Sequence, residues 1–453
     1  MAIGNQDISE RLSLPRLFHA CIPMILMMVS ISVYSVVDGF FVSNFAGSTQ
    51  FAAVNLIFPF VMVVGSLGFM MGTGGTALVA KRMGEGRMEE ARRLFFTCFV
   101  ATVTLGLAFS LSTVFFLPII AKALGADEAM LPYCVSYGRI LVLGVVLFNL
   151  QNMFQPFFAA SGKPALGFLV TIGAGVANIL LDALFVGGLG WGCVGAAYGT
   201  VIGQAVGGLI PVIYFFAKNN SSLRMTPSKI EWKALGRMVT NGFSEFVSQI
   251  VVAAVSMIMN VLLMKYYGEN GVSAYGIICY VWMIFGAMFI GLNMGISPRI
   301  SYAYGEGNKE HLRHLTRNAV ILVLAAGLFE CVLAEALTIP LSYIYASYDE
   351  ELRQLTCHAS FVYSILYLVL GLNMFGSAFF TALNNGLVSA ILSFARFMIF
   401  EAVSIYVCSL LFQGEGIWWG VVIGEFLGFI MNAVTIYAFG RKYGYRVPKK
   451  QES

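Results

Sequence analysis

Four polar residues in the first half of the chain lie within long apolar segments, where polar side chains are uncommon. Asp38 lies in Val-Val-Asp-Gly-Phe-Phe, and Asp182 lies in Ala-Asn-Ile-Leu-Leu-Asp, with Asn178 four residues earlier on the same helical face. Thr200 follows in Ala-Ala-Tyr-Gly-Thr. Two carboxylates, an amide and a hydroxyl offer the oxygen ligands that a hard cation such as Na⁺ prefers. They suit protons equally well, because two desolvated carboxylates close together cannot both stay charged cheaply.

The segments that hold these residues belong to a chain built for a lipid bilayer. Of its 453 residues, 58% are hydrophobic and only 11% are charged, against about 25% charged in soluble domains. A soluble globular protein is thereby excluded. Apolar runs long enough to cross the hydrocarbon, which takes roughly 20 residues, predict twelve helical spans at about 14–43, 51–80, 92–121, 130–157, 164–187, 192–217, 236–265, 272–303, 312–344, 353–381, 387–411 and 416–440.

Basic residues predict the orientation of these spans. With the N-terminus inside, twenty-two Lys and Arg fall in loops or flanks on one face and three on the other. This bias places both termini in the cytoplasm. It also explains the net charge of +4 without nucleic-acid binding. The first span shows no cleavage site, so we expect it to be retained. The polar stretch 218–235 reads as a cytoplasmic linker between an N-lobe, 1–217, and a C-lobe, 236–453.

The two lobes repeat each other at one constant offset of 221 positions. This shift carries Gly84-Glu85-Gly86 onto Gly305-Glu306-Gly307, and Asn152-Met153-Phe154 onto Asn373-Met374-Phe375. Because each unit has six spans, both enter the membrane in the same orientation. The predicted fold is therefore an all-α polytopic membrane protein with two parallel six-helix bundles, related by a pseudo-two-fold axis along the membrane normal. Carriers with parallel repeats bind their substrates near the midplane between the repeats.

The repeat shows that the second half has no equivalent of the polar cluster. The equivalents of Asp38, Asn178, Asp182 and Thr200 are apolar, namely Met259, Ile399, Val403 and Val421. Spans 1, 5 and 6 hold the four polar residues at similar depth near their outer ends. A site in one half only favours a specialised coupling function. The alternative is that each carboxylate caps a helix end or meets interfacial water.

Several other residues are candidates for a transport pathway. Glu245, Glu401 and Glu425 could relay protons in the C-lobe, although an interhelical hydrogen bond is an equal alternative. Arg139 or Arg396 could pair with such acids. Substrate could contact polar or polarisable side chains, and the candidates are Gln151, Gln155, Met28 and Gln204. Pro23, inside span 1, predicts either a hinge or a static kink. The eight scattered cysteines and the histidines predict no metal centre other than a possible Na⁺ site.

These motifs together resemble the MATE family of multidrug and toxic-compound exporters, in particular its MepA-like bacterial branch. The resemblance rests on Pro23 with Val-Asp-Gly-Phe-Phe-Val in span 1, Lys-Arg-Met-Gly-Glu-Gly-Arg after span 2, Ala-Asn-Ile-Leu-Leu-Asp in span 5 and Asn-Gly-Phe-Ser-Glu-Phe at 241–246. It implies that Asp38, Asn178, Asp182 and Thr200 form the N-lobe cation site and that span 1 bends at Pro23. Span 10 lacks the carboxylate of the NorM-type branch, and span 7 lacks a deep one, which argues against a C-lobe sodium site of that kind.

The resulting hypothesis is a secondary active transporter that exchanges H⁺ or Na⁺ for organic cations by alternating access. We expect no catalytic residue, no cofactor and no nucleic-acid partner, and a monomer surrounded by membrane lipid. One rival is a flippase for lipid-linked or other amphipathic substrates, which should have a basic central cavity. Another is a membrane-embedded enzyme, for which we find no catalytic motif.

Overall fold

The computed structural model describes residues 6–346 and 349–446. Within these ranges the chain forms helices joined by short turns, with no β-strand. Lys449 and Lys450, which contribute to the predicted orientation, lie outside the described residues.

The first half contains six membrane-length helices. They are Leu14–Phe45, Ser48–Gly84, Met88–Ala123, Leu131–Ala160, Pro164–Asp182 with a π-helical continuation Ala183–Gly188, and Gly192–Phe216. The second half contains Trp232–Glu306, Lys309–Ala346, Glu350–Ser364, Tyr367–Ala382, Gly386–Phe394 with the π-helix Ala395–Glu401, and Ala402–Tyr443.

Backbone breaks convert these helices into twelve spans. Trp232–Glu306 divides at Gly268, whose φ is 63°. Gly386–Phe394, its π-helix and Ala402–Tyr443 form one continuous run, Gly386–Tyr443, which divides at Gln413, whose φ is 55°. Glu350–Ser364 and Tyr367–Ala382 form one span bent by 51°. Divided at these breaks, the described helices give twelve membrane-length segments. The predicted spans agree with the observed helices to within four residues at their ends, so the predicted fold class is confirmed.

Glycines on spans 2 and 8 show the two-fold relation between the halves. A Cβ on Gly84 would overlap the carbonyl oxygen of Tyr302, and a Cβ on Gly305 would overlap that of Lys81. Gly84 and Gly305 are repeat equivalents, as are Lys81 and Tyr302. The same backbone contact is thus made twice, once in each direction across the axis. Glycine permits it because no side chain separates the helices.

Each half has its own apolar interior and an apolar outer surface. In the first half, the rings of Phe95 and Phe157 stack with centroids 4.4 Å apart, and in the second half Trp418 is fully buried. Large side chains such as Phe115 and Ile119 are mostly exposed on the outside. A soluble protein rarely exposes so much apolar surface, whereas lipid tails cover it without cost.

The segment between the halves lies outside the helices and packs back on the first half. It runs from the end of Gly192–Phe216 to the start of Trp232–Glu306. The backbone nitrogen of Met225 donates to the carbonyl oxygen of Phe215 at 2.9 Å, and Met225 is buried. The division into an N-lobe, a cytoplasmic linker and a C-lobe stays a prediction.

Candidate functional site

The polar residues of spans 1 and 5 meet inside the first half. Asp182, the last residue of Pro164–Asp182, is fully buried and lies within electrostatic range of both Asp38 and Asn178. Span 6 makes room for it, because a Cβ on Gly199 would overlap Oδ1 of Asp182. Thr200 follows that glycine and keeps its hydroxyl buried. Asp38, Asn178 and Asp182 therefore meet, and Thr200 directly follows the glycine of span 6 that contacts Asp182.

These side chains have few protein partners. Six of their atoms are buried and make no hydrogen bond to any described residue, namely Oδ1 of Asp38, Oδ1 and Nδ2 of Asn178, both carboxylate oxygens of Asp182 and Oγ1 of Thr200. Buried polar atoms are normally paired, and an isolated buried carboxylate is costly. Five of the six are oxygens, a donor set that fits Na⁺ or a proton shared between the carboxylates.

Two tyrosines complete the surroundings of the carboxylates. Tyr34 lies one helical turn before Asp38, and its hydroxyl accepts a long hydrogen bond of 3.5 Å from Nε2 of Gln151. Tyr137, on span 4, is buried within electrostatic range of Asp38 and Asp182. The spacing of four residues between Tyr34 and Asp38 could have revealed the first tyrosine. No sequence signal links Tyr137 to the carboxylates.

A larger cavity of about 310 Å³ lies between the two halves. Its walls combine methionine and aromatic side chains with polar groups from spans 7, 8, 10 and 11. Lining residues with chemistry to offer are Met28, Phe69, Glu245, Trp282, Asn293, Met294, Asn373 and Arg396. The volume is that of a small-molecule pocket.

Of the four predicted substrate contacts, Met28 is the one that lines this cavity. Gln151 is buried within the first half, between Tyr34 and Gly207. Gln155 is also buried, and neither of its amide atoms has a hydrogen-bond partner among the described residues. Gln204 is half-buried on span 6. The three glutamines therefore lie outside the lining of the central cavity.

In the second half, an ion pair joins spans 11 and 12 at the cavity wall. Nη2 of Arg396 donates to Oε1 of Glu425 at 2.7 Å, and Nε donates to Oε2 at 3.0 Å. Asn373 adds a hydrogen bond of 2.6 Å to Oε2 of Glu425. This geometry identifies the partner of Arg396, which the sequence left open. Arg139 is exposed.

Glu401 and Pro23 are two further residues that the sequence singles out. Glu401 ends the π-helix Ala395–Glu401 and is buried, with Oε2 unpaired among the described residues. Pro23 lies within Leu14–Phe45, which continues as one helix across it. The neighbouring Cys21 and Ile25 face Gly295 and Gly291 of span 8, respectively. The relay and hinge roles stay predictions.

Within the described ranges, no group of three or more His, Cys, Asp or Glu is placed to hold a metal ion. The eight cysteines carry free thiols, six of them buried.

Comparison with known proteins identifies the family. The MatE family model matches residues 23–184 and 246–407, one match in each half. The multidrug export protein MepA of Staphylococcus haemolyticus is 24% identical over 426 residues, which are 93% of both chains. A solved MATE structure in complex with MaL6 has a TM-score of 0.89 at 22% identity, covering 96% of this chain and 98% of that one.

A second solved structure, of a multidrug resistance MATE family transporter in an outward-facing conformation, has a TM-score of 0.88 at 22% identity. It covers 96% of this chain and 98% of its own. Two family matches, one in each half of the internal repeat, and a shared fold over nearly the whole length agree with the resemblance of the motifs. The chain belongs to the MatE family.

Proposed function

We propose that this protein exports organic cations across a bacterial plasma membrane in exchange for H⁺ or Na⁺, by alternating access. The observation that carries the proposal is the pair of half-buried Asp38 and fully buried Asp182, whose side chains interact with each other and with no basic residue among those the structure describes. In this proposal both termini lie in the cytoplasm and the protein works as a monomer in lipid.

The carboxylate pair provides the coupling. Binding of H⁺ or Na⁺ neutralises charge that the apolar surroundings otherwise penalise, with Asn178 and Thr200 as further ligands. A pH gradient of one unit supplies about 1.4 kcal/mol per proton. Each charge moved across 100 mV supplies about 2.3 kcal/mol. Exchange of one proton for one monovalent cation moves no net charge, so the pH gradient alone would then drive it.

The central cavity provides the substrate site. Met28 and Met294 offer polarisable surfaces that adapt to different ligands, and Phe69 and Trp282 offer faces for cation–π contact. The Staphylococcus haemolyticus relative is described as a multidrug export protein, which agrees with a site of this chemistry. Gln151, Gln155 and Gln204 lie outside the cavity lining, so in this proposal they do not contact the substrate in the present state.

Alternating access requires two states that ion and substrate favour differently. In the present state, the halves touch at the ends of spans 2 and 8, where Gly84 and Gly305 meet the opposite backbone. We propose that ion binding beside Asp38 changes the packing of span 1 and that the helix bends at Pro23. Glu401 and Glu425 have no necessary part in this cycle.

The rival function is a flippase for lipid-linked or other amphipathic substrates. Such a carrier needs a basic cavity to hold a phosphate group. The described lining contains one arginine, Arg396, and Glu425 neutralises it. Charge therefore supports the organic-cation proposal.

The test is transport by the purified full-length protein in liposomes. Uptake of a fluorescent organic cation is followed under an imposed H⁺ gradient and, separately, an imposed Na⁺ gradient. We expect one gradient to drive uptake, and Asp38→Asn or Asp182→Asn to reduce it at least tenfold. Asp127→Asn is the matched control, because this carboxylate lies on an exposed turn and accepts from a backbone nitrogen. Ion-independent uptake, or full coupling in both site variants, would refute the coupling site.

A further inference from the structure

The central cavity carries two charged side chains among its described lining residues, Glu245 and Arg396. Arg396 is not available to a ligand as a free charge. Its guanidinium makes three hydrogen bonds to Glu425 of 2.7 to 3.1 Å, and both side chains are about 95% buried. A buried pair of this kind presents little net charge to its surroundings.

Glu245 is different, because no described residue pairs with it. Glu245 is half-buried, and its carboxylate makes no ion pair and no hydrogen bond with any described residue. A carboxylate without a partner, partly removed from water, is stabilised when it binds a positive group. Together with the neutralised Arg396, it gives the cavity a net negative character.

The position of Glu245 is at the end of the cavity nearest the linker. Gly242, one turn earlier, is pressed against the backbone of Met70 on span 2, where a Cβ would overlap the carbonyl oxygen. Asn241 fixes this turn by accepting from the backbone nitrogen of Gly386 at 3.1 Å and donating to Asn384 at 2.9 Å. Glu245 thus projects from a firmly held segment of span 7.

The first half has no carboxylate at the position equivalent to Glu245. The equivalent of Glu245 in the first half is Met24, which is buried and packs beside Gly291. The first-half wall of the cavity combines Met28 and Phe69 with the hydroxyl groups of Ser32, Thr73 and Thr76, so it offers no charge to a ligand.

We propose that Glu245 is the substrate carboxylate: it binds the positive group of a monovalent amphipathic cation whose apolar rings lie against Phe69 and Trp282. The inference rests on the proposed function and deepens it, because it assigns the charge selectivity of the cavity to one residue outside the Asp38 and Asp182 site.

The experiment compares two probes of the same shape and opposite charge. Binding of tetraphenylphosphonium and of tetraphenylborate to the detergent-solubilised full-length protein is measured by equilibrium dialysis. We expect the wild type to prefer the phosphonium. Glu245→Gln should weaken phosphonium binding at least tenfold and leave borate binding equal or stronger, whereas Glu245→Asp should retain most of the preference.

Two further variants make the result specific. Glu335→Gln, on an exposed face of span 9 outside the cavity lining, is the matched control and should bind like the wild type. Glu425→Gln removes the partner of Arg396, so it should weaken the phosphonium and strengthen the borate even with Glu245 present. Thermal unfolding of each variant checks folding, and Glu245→Gln should unfold near the wild-type temperature.

Each outcome decides one proposal or both. If the wild type binds the phosphonium and Glu245→Gln does so equally, the assignment of Glu245 is refuted while cation export stands. If the wild type binds neither probe, or prefers the borate, and liposomes show no cation uptake, both proposals fail.

Discussion

At the scale of single residues, charged side chains inside the protein occur in two arrangements. Arg396 and Glu425 satisfy each other, whereas Asp38 and Asp182 have each other, an amide and two tyrosines for neighbours. Removing one member of a buried ion pair is costly, but an acid without a basic partner must be neutralised by a proton or an ion. This difference separates the mutually paired charges in the second half from the candidate coupling site in the first.

Glu330 on span 9 is likewise a buried acid without a basic partner among the described residues. Its side chain is fully buried, and neither carboxylate oxygen has a hydrogen-bond partner among the described residues. We predict that Glu330→Leu raises the thermal unfolding temperature, because an unsatisfied buried polar group costs about 1–3 kcal/mol. Glu330→Gln should give no such gain, since the amide meets the same surroundings. A lower unfolding temperature for Glu330→Leu would mean that the carboxyl group makes a stabilising contact.

At the scale of elements, the turns between spans repeat with the helices. Gly47 and Gly268 both have positive φ and are repeat equivalents. Gly192 and Gln413 are equivalent in the same way, with φ of 58° and 55°. Gln413 has a ψ of −134°, and this combination is sparsely populated by residues with a Cβ. The second half thus places glutamine where the first half has glycine.

We predict that Gln413→Gly stabilises the protein by about 1–2 kcal/mol, since glycine removes the strain of the positive φ. The side chain of Gln413 is exposed, so its loss should cost little. Thermal unfolding in detergent measures the change. Gly192→Ala is a control with the opposite expected result. It should destabilise the protein, because a Cβ there would overlap Oε1 of Gln50 and strain the turn. Destabilisation by Gln413→Gly would show that the side chain has a role of its own.

At the scale of the whole molecule, the two-fold relation produces both the contact between the halves and the cavity between them. Spans 2 and 8 touch through Gly84 and Gly305 near the linker. The cavity extends from this contact between the halves. A change that separates the halves at the glycines should therefore alter access to the interface as well as stability.

We predict that Gly84→Ala and Gly305→Ala have equal effects, each destabilising this state by about 1–3 kcal/mol through overpacking. Gly276→Ala is the control in span 8, where a Cβ meets nothing within 4 Å, so helix propensity should make it neutral or stabilising.

The measurement combines thermal unfolding with maleimide labelling of Cys21, which is buried against Gly295. In a background with Cys21 as the sole cysteine, both interface variants should label faster than the control. Unequal effects of Gly84→Ala and Gly305→Ala would contradict a symmetric contact.

The amino-acid sequence by itself was enough to predict the twelve spans, the duplication and the meeting of Asp38 with Asp182. The physical reason is that a bilayer requires apolar segments of a set length, each forming its own backbone hydrogen bonds. Helix direction then follows from counting spans, and depth follows from position along a span. Residues at equal depth on neighbouring spans can therefore be predicted to meet.

The tertiary structure alone decided which way each helix faces. Gln151 and Gln155 turn into the first half, whereas Glu245 turns into the central cavity. Glu425 pairs with Arg396, and Tyr137 joins the carboxylates. Helices that are apolar on all sides carry little periodic signal about rotation, because lipid and protein interior are both apolar. Rotation is then set by close packing, such as the glycine contacts of spans 2 and 8, which forms only when both halves are assembled.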